Sequence, residues 1–127
     1  HCSWPTKYKN PYHNKIAYLL AHMEHYEYII WIDDDAFFFD FETDIMKYAP
    51  SGATFMSACK SPSFKALKTY FSSGQFILRV NADSKAFLNA VLEQDLKEVK
   101  NWCRDDLGYF SNGDQDAMSY LFHEDED

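Results

Sequence analysis

The stretch Tyr-Ile-Ile-Trp-Ile-Asp-Asp-Asp-Ala-Phe-Phe-Phe-Asp, residues 28–40, decides the fold of this chain. Five consecutive β-formers, residues 28–32, end at three carboxylates, Asp33–Asp35, and a second apolar run follows at residues 36–39. An uninterrupted apolar run is typical of a strand that is buried on both faces of a parallel sheet. In such sheets ligands bind beyond the carboxyl ends of the strands. The pattern therefore predicts a buried strand that delivers three acids to a ligand site.

Three adjacent acids between apolar segments need a positive partner. Like charges so close together repel each other unless a cation holds them. Carboxylate oxygens are hard ligands, and hard ligands suit Mg²⁺ and Mn²⁺. The acid cluster therefore predicts a site for a divalent metal ion.

Length and composition indicate one globular domain. The chain has 127 residues, of which 46% are hydrophobic and 18% aromatic, enough for a core within a single domain spanning 1–127. Its formal net charge of -8 argues against nucleic acid as a main partner, because phosphate contacts need a basic face. No apolar stretch approaches the ~20 residues of a transmembrane helix, so we expect no membrane span in this chain.

The three cysteines do not form a metal-binding pattern. Cys2, Cys59 and Cys103 are widely separated, and none belongs to a CxxC pair. A structural zinc site is therefore not expected.

Hydrophobic periodicity predicts alternating helices and strands. Helices are expected from Asn14 to about residue 25, over residues 85–99 after a cap at Asp83 or Ser84, and from an N-cap at Asp114 onward. Strands are expected at residues 28–32, 53–59 and 75–80, the last following the small-residue turn Ser-Ser-Gly at residues 72–74. Together these elements predict an α/β fold.

Three sequence blocks occur in an order that resembles the GT-A glycosyltransferases, and within them glycosyltransferase family 34, the retaining galactosyl, xylosyl and mannosyl transferase type. The blocks are Trp-Ile-Asp-Asp-Asp-Ala at residues 31–36, Ser-Ser-Gly-Gln-Phe at residues 72–76 and Asp-Gln-Asp-Ala at residues 114–117. A helix entered through Lys15 precedes the first block, as in the family. Three blocks in order are more specific than an Asp-x-Asp triplet alone.

The resemblance implies a metal-dependent donor site. Asp33 and Asp35 would bind Mn²⁺ or Mg²⁺, and Asp33 would also face the ribose of a nucleoside-diphosphate sugar, with a UDP-sugar favoured. The metal would stabilise the diphosphate leaving group as a Lewis acid. Ser73 and Gly74 would lie near the donor or acceptor sugar.

The resemblance also implies a reaction. Asp114 and Gln115 would be catalytic residues that face the anomeric centre and stabilise an oxocarbenium-like state. The sugar would pass to a hydroxyl of a glycan or another acceptor, with retention of configuration expected, and no single nucleophile is assigned.

The resemblance implies a mixed, mainly parallel sheet flanked by helices on both faces. The chain begins at His1 and resembles a central portion of a GT-A domain, so we expect it to lack the first nucleotide-binding strand. A late histidine completes the family's metal site, and His123 lies too close to Asp114 to match it.

Two other function classes remain open. Phosphatases of the haloacid dehalogenase type also end a strand in Asp-x-Asp, but they expect Thr or Val where Phe37 stands. A noncatalytic carbohydrate- or metal-binding remnant would keep the acids without transfer activity. A calcium loop is not expected because its glycine position holds Phe38, and P-loop and Rossmann signatures are absent.

Overall fold

The computed structural model describes residues 11–59, 71–108, 110 and 113–126. These residues form a mixed fold of α-helices and β-strands. The strands are β1 (Tyr28–Ile32), β2 (Met56–Ala58) and β3 (Gln75–Arg79). The helices are α1 (Pro11–His22), α2 (Ala82–Glu93), α3 (Leu96–Trp102) and α4 (Asp114–Glu126), with 3-10 turns at Met23–His25 and Ile45–Tyr48.

The described strands form a three-stranded antiparallel sheet in the order β1-β3-β2. Trp31 pairs with Phe76, and Ile29 pairs with Leu78, which in turn pairs with Met56 of β2. The mainly parallel pairing expected from the sequence does not occur among these strands. The run of β-formers in β1 correctly predicted a strand, but a continuous apolar run does not specify the direction of the neighbouring strand.

The core lies on one face of the sheet. Its sheet residues, Phe76 and Leu78, alternate along β3 and so point to the same side. The helices complete it with buried side chains from α1 (Ile16 and Leu19), the 3-10 turn after it (Met23), α2 (Leu88 and Val91) and α4 (Ala117 and Met118). Along the other face runs a cavity whose lining contains no residue of the four α-helices. Helices on both faces, the second expectation about the sheet, are therefore not found in the described part of the chain.

The helix expected over residues 85–99 is two helices. Asn81, rather than Asp83 or Ser84, caps α2, and Ser84 completes a capping box with it. The chain then leaves helical geometry at Gln94, and the side chain of Asp95 caps α3 by accepting from the backbone N–H of Lys97. The apolar periodicity runs through this break because each helix buries apolar residues, Val91 in α2 and Val99 in α3.

No helix in the described ranges is both long and apolar enough to cross a membrane.

Candidate functional site

The ammonium of Lys15 is the centre of a buried polar cluster. Its side chain is 8% exposed. Nζ donates to the backbone carbonyl of Ser73 at 2.6 Å and to Oδ2 of Asp114 at 2.8 Å. Nζ also lies 3.9 Å from Oδ1 of Asp33. A charge taken out of water is stable only when such partners replace the water, so these contacts explain why a lysine is buried here.

Two aromatic rings enclose the same ammonium. Nζ of Lys15 lies 4.8 Å from the ring centroid of Trp31 and 5.2 Å from that of Phe76. Trp31 and Phe76 are cross-strand partners. The π-faces of aromatic rings attract cations, more strongly where water is excluded. The core face of the sheet therefore supplies one wall of the site, and the acids supply the other.

The segment Ser73–Gly74 joins the sheet to the acids. The backbone N–H of Asp33 donates to the carbonyl of Gly74 at 2.8 Å, which continues the β1–β3 pairing by one step beyond Ile32 and Gln75. A Cβ on Gly74 would meet Oδ2 of Asp33 at 3.0 Å. Residue 74 must therefore be small for the carboxylate to lie where it does.

Asp33 is held in place by a second contact. Oδ1 of Asp33 accepts from the indole N–H of Trp31 at 2.6 Å. Its side chain is 43% exposed, so one side of the carboxylate faces the protein and the other faces water. This geometry leaves Asp33 accessible to a ligand.

The start of α4 contributes the last two predicted site residues. The helix begins at Asp114, whose side chain is 6% exposed and pairs with Lys15. Oε1 of Gln115 accepts from the backbone N–H of Ser73 at 3.2 Å. The helix start is thus tied to the Ser73–Gly74 turn by two contacts, one through Lys15 and one through Gln115.

Five of the six residues predicted to form the site are brought together around Lys15. They are Asp33, Ser73, Gly74, Asp114 and Gln115. No site role was predicted for Lys15 from the sequence. A signal was present: Lys15 precedes Ile16 by one residue and Leu19 by four, so it lies beside the apolar stripe of an amphipathic helix.

The sixth residue, Asp35, lies elsewhere. It is exposed and lines the cavity along the other face of the sheet. Asp34 is also exposed. The following residues Phe37 and Phe39 are 84% and 91% exposed. The expectation of buried apolar segments on both sides of the acids is therefore wrong. β1 lies at the edge of the three-stranded sheet and its residues are half-buried or exposed, with Ile30 at 39%, and after Ile32 the chain leaves the sheet.

Asp33 and Asp35 are the residues that would hold an expected Mg²⁺ or Mn²⁺ ion, because both ions prefer carboxylate oxygens. Asp33 and Asp35 offer carboxylate oxygens, and both are accessible. Within the described ranges, no three His, Cys, Asp or Glu side chains converge to hold an ion by themselves. Mg²⁺ in particular is commonly bound by one or two carboxylates together with substrate phosphates, and such a site needs no third protein ligand.

The two described cysteines differ in environment and are both free thiols. Cys59 is exposed and lines the cavity, while Cys103 is buried beside α4. Burial, together with the charge of Asp116, raises the pKa of Cys103 to about 12. The backbone carbonyl of Cys59 accepts from the N–H of Ser72 at 2.8 Å, next to the Ser73–Gly74 segment, but we assign no site role to either thiol.

Comparisons of the chain with protein-family models, with curated proteins and with solved structures find no match.

Proposed function

We propose that this chain carries the site of a metal-dependent glycosyltransferase. A sugar passes from a nucleoside-diphosphate sugar, with a UDP-sugar favoured, to a hydroxyl of a glycan or another acceptor. The proposal includes the finer fold expectation, in which the three described strands belong to a mixed sheet of the GT-A type. Retention of configuration at the anomeric carbon is part of the proposal.

The observation that supports this function most is the convergence of three sequence blocks on one ammonium. Lys15 contacts the first block at Asp33, the second at the carbonyl of Ser73 and the third at Asp114. These contacts span 58 residues to Ser73 and 99 residues to Asp114. Residues chosen for a shared chemical role thus lie within one small region, as a donor site requires.

In this proposal Asp33 and Asp35 would hold the metal ion, Asp33 from the Lys15 cluster and Asp35 from the adjoining cavity side. A bound Mg²⁺ or Mn²⁺ ion would supply Lewis-acid stabilisation of the diphosphate leaving group. The indole of Trp31 fixes the orientation of Asp33 through the 2.6 Å hydrogen bond, as outer-shell partners commonly do for metal ligands.

Asp114 and Gln115 face the sugar in this proposal. Lys15 and the Ser73 backbone hold their polar atoms before any substrate arrives, and preorganised groups stabilise charge without reorganisation during the reaction. The acceptor oxygen forms the new bond to the anomeric carbon, the bond from that carbon to the diphosphate breaks, and the hydroxyl proton leaves on the diphosphate.

Calorimetric titration of Mn²⁺ into the chain, alone and with a panel of UDP- and GDP-sugars, tests the proposal. We expect one donor to bind only with Mn²⁺, and Asp35→Asn to abolish that binding. Asp34→Asn is the matched control, because Asp34 is an adjacent exposed acid to which no metal role is assigned. Donor binding by this variant should remain within about twofold of the parent chain, since surface substitutions away from a site have small effects.

Three results would contradict the proposal. Equal losses in Asp34→Asn and Asp35→Asn would indicate general charge attraction rather than a defined ligand. Release of phosphate from simple phosphate monoesters, without sugar transfer, would favour the phosphatase class. Sugar binding that needs neither Mn²⁺ nor nucleotide would favour a noncatalytic carbohydrate-binding module.

A further inference from the structure

A large apolar cavity lies along the sheet face opposite the core. Its volume is about 750 Å³. Ligand cavities in proteins commonly measure ~300–1,000 Å³ and have mostly apolar walls with a few polar groups. The apolar wall comes from the sheet and from the segment that follows β1: Ile30, Ile32, Ile77, Phe37, Phe38 and Phe39. In size and in lining, the cavity fits a small organic molecule.

Asp35 and Gln75 form a polar end of this cavity, and the rest of its lining is mainly apolar, with Ser57 beside Ile77 among its few polar residues. Asp35 and Gln75 both line the cavity, and Gln75 pairs with Ile32, the last residue of β1. The next step of the same pairing is the hydrogen bond from Asp33 to Gly74, two residues of the Lys15 cluster. The polar end of the cavity therefore adjoins the proposed donor site, and the apolar remainder extends away from it along the sheet.

The charges around the cavity argue against two other occupants. The segment after β1 exposes five acids, Asp34, Asp35, Asp40, Glu42 and Asp44. A hydrogen bond from the Thr43 hydroxyl holds the pKa of Asp40 below its usual value, so that acid stays charged. A second copy of this chain, which has the same acids, would bring like charges together, and so would an anionic membrane surface.

A neutral amphiphile avoids this repulsion. Its apolar body would remove the walls formed by Phe37 and Phe39 from water, and these side chains are 84% and 91% exposed. Its hydroxyl would donate to acceptor oxygens at the polar end, Asp35 and Gln75. The apolar body of such a molecule would thus contact the phenyl rings, and its hydroxyl would contact the polar side chains.

We propose that this cavity binds the apolar body of the sugar acceptor, a neutral alcohol or glycoside with an alkyl or aryl group, and directs its hydroxyl towards the donor site. The role as acceptor rests on the proposed function, whereas binding of the amphiphile does not. The acceptor hydroxyl is then the one that forms the new glycosidic bond.

Calorimetry with methyl, hexyl and octyl β-glucoside below their micelle-forming concentrations tests the binding step without metal or nucleotide. We expect the dissociation constant to fall about fourfold for each methylene that the cavity buries. Phe37→Ser should weaken octyl glucoside binding about tenfold, because it removes a large apolar wall. Phe41→Ser is the matched control: Phe41 is 85% exposed on the same segment but does not line the cavity, so this variant should bind as the parent does.

Several results would overturn the inference. Equal affinities for methyl and octyl glucoside would show that the cavity takes no apolar body. Equal losses in Phe37→Ser and Phe41→Ser would show nonspecific adsorption to exposed rings. Self-association in sedimentation experiments that is abolished by Phe37→Ser would identify a second copy of the chain as the occupant.

A transfer assay with Mn²⁺ and the bound donor separates this inference from the proposed function. We expect KM to fall from methyl to octyl glucoside while kcat changes little, since chain length adds binding that is uniform along the reaction. Donor binding and transfer with a KM independent of chain length would overturn the inference alone. Chain-length-dependent binding with no donor binding would overturn the proposed function and the acceptor role together.

Discussion

On one side of the sheet, the ammonium of Lys15 is 8% exposed and has three oxygen partners within 4 Å. On the other side, the ring of Phe39 is 91% exposed. The usual locations of a lysine and a phenylalanine are thus exchanged. The comparison teaches that specific partners, and not residue type alone, decide what is buried. The lysine replaces its water with acids and a carbonyl, whereas no apolar wall within the described part of the chain covers the phenyl ring.

Thiol reactivity gives the largest contrast between the two sides. At pH 8 in a Cys2→Ser background, we expect Cys59 at the cavity to react rapidly with a thiol reagent, and Cys103 to react roughly a thousandfold more slowly because it needs an opening of the structure. Mass spectrometry of the labelled peptides measures both rates. Similar rates would mean that the helices over the core open as easily as the cavity side.

The raised pKa of Cys103 predicts that the folded chain loses stability in alkaline solution. The pKa of this thiol is raised in the folded chain to about 12 from an ordinary value of 9.0, so the unfolded chain loses the proton first. The contribution of Cys103 is therefore complete below pH 9 and falls as the pH rises towards 12. Cys103→Ala should flatten this part of a stability profile measured by chemical denaturation. If the stability profile of Cys103→Ala matched that of the parent chain, Cys103 would not be the cause of the alkaline loss of stability.

Removal of the buried cation should have the next largest effect. Lys15→Met leaves the buried carboxylate of Asp114 without its partner, so we expect the free energy of unfolding to fall by about 3–5 kcal/mol. Urea denaturation measures the change. Lys47→Met, on the segment beside the cavity, is the matched control, and its effect should stay within about 0.5 kcal/mol.

A double variant separates charge from packing at the same position. Lys15→Met with Asp114→Leu removes both charges, and apolar replacements of a buried pair are often neutral. We expect the double variant to be more stable than Lys15→Met alone. A double variant as unstable as the sum of its single changes would show that packing, and not the unpaired carboxylate, causes the loss.

Gly74→Ala should have a smaller effect on stability and a larger one on the site. The new Cβ would lie 3.0 Å from Oδ2 of Asp33 and push the carboxylate aside. We expect a loss of about 1 kcal/mol in the free energy of unfolding, together with weaker Mn²⁺-dependent donor binding. Adding Asp33→Ala removes the contact and should restore the stability but not the binding. Unchanged donor binding in Gly74→Ala would show that donor binding does not depend on the position of the Asp33 carboxylate.

Phe39→Ser should have the smallest effect on stability. The ring is 91% exposed, so its removal should change the free energy of unfolding by less than about 0.5 kcal/mol. Thermal denaturation measures this, and comparison with Phe76→Ala, a core residue of the same sheet, sharpens the contrast between the two faces. A large loss in Phe39→Ser would mean that the segment beside the cavity contributes to the core.

Much of the candidate site was predictable because its residues follow local rules. The apolar run that ends at Asp33 marks the end of a strand, and Asp114 marks the start of a helix. The resemblance of the three sequence blocks to one family then implied that these positions share a site. The break at Asp95 was missed because apolar periodicity continues through it, although the side chain of Asp95 is itself a helix-capping signal.

The sequence by itself determined the order and approximate positions of the three strands and of the helices around them, though not the break between α2 and α3, because hydrophobic periodicity and capping act between residues that are close along the chain. Only the tertiary structure decided that the strands pair antiparallel and that one face of the sheet carries the helical core. It also decided that Lys15 meets Ser73 and Asp114, which are 58 and 99 residues away. Such contacts depend on the fold of the whole chain. A buried charge can pair only with groups that the fold has brought within hydrogen-bonding distance.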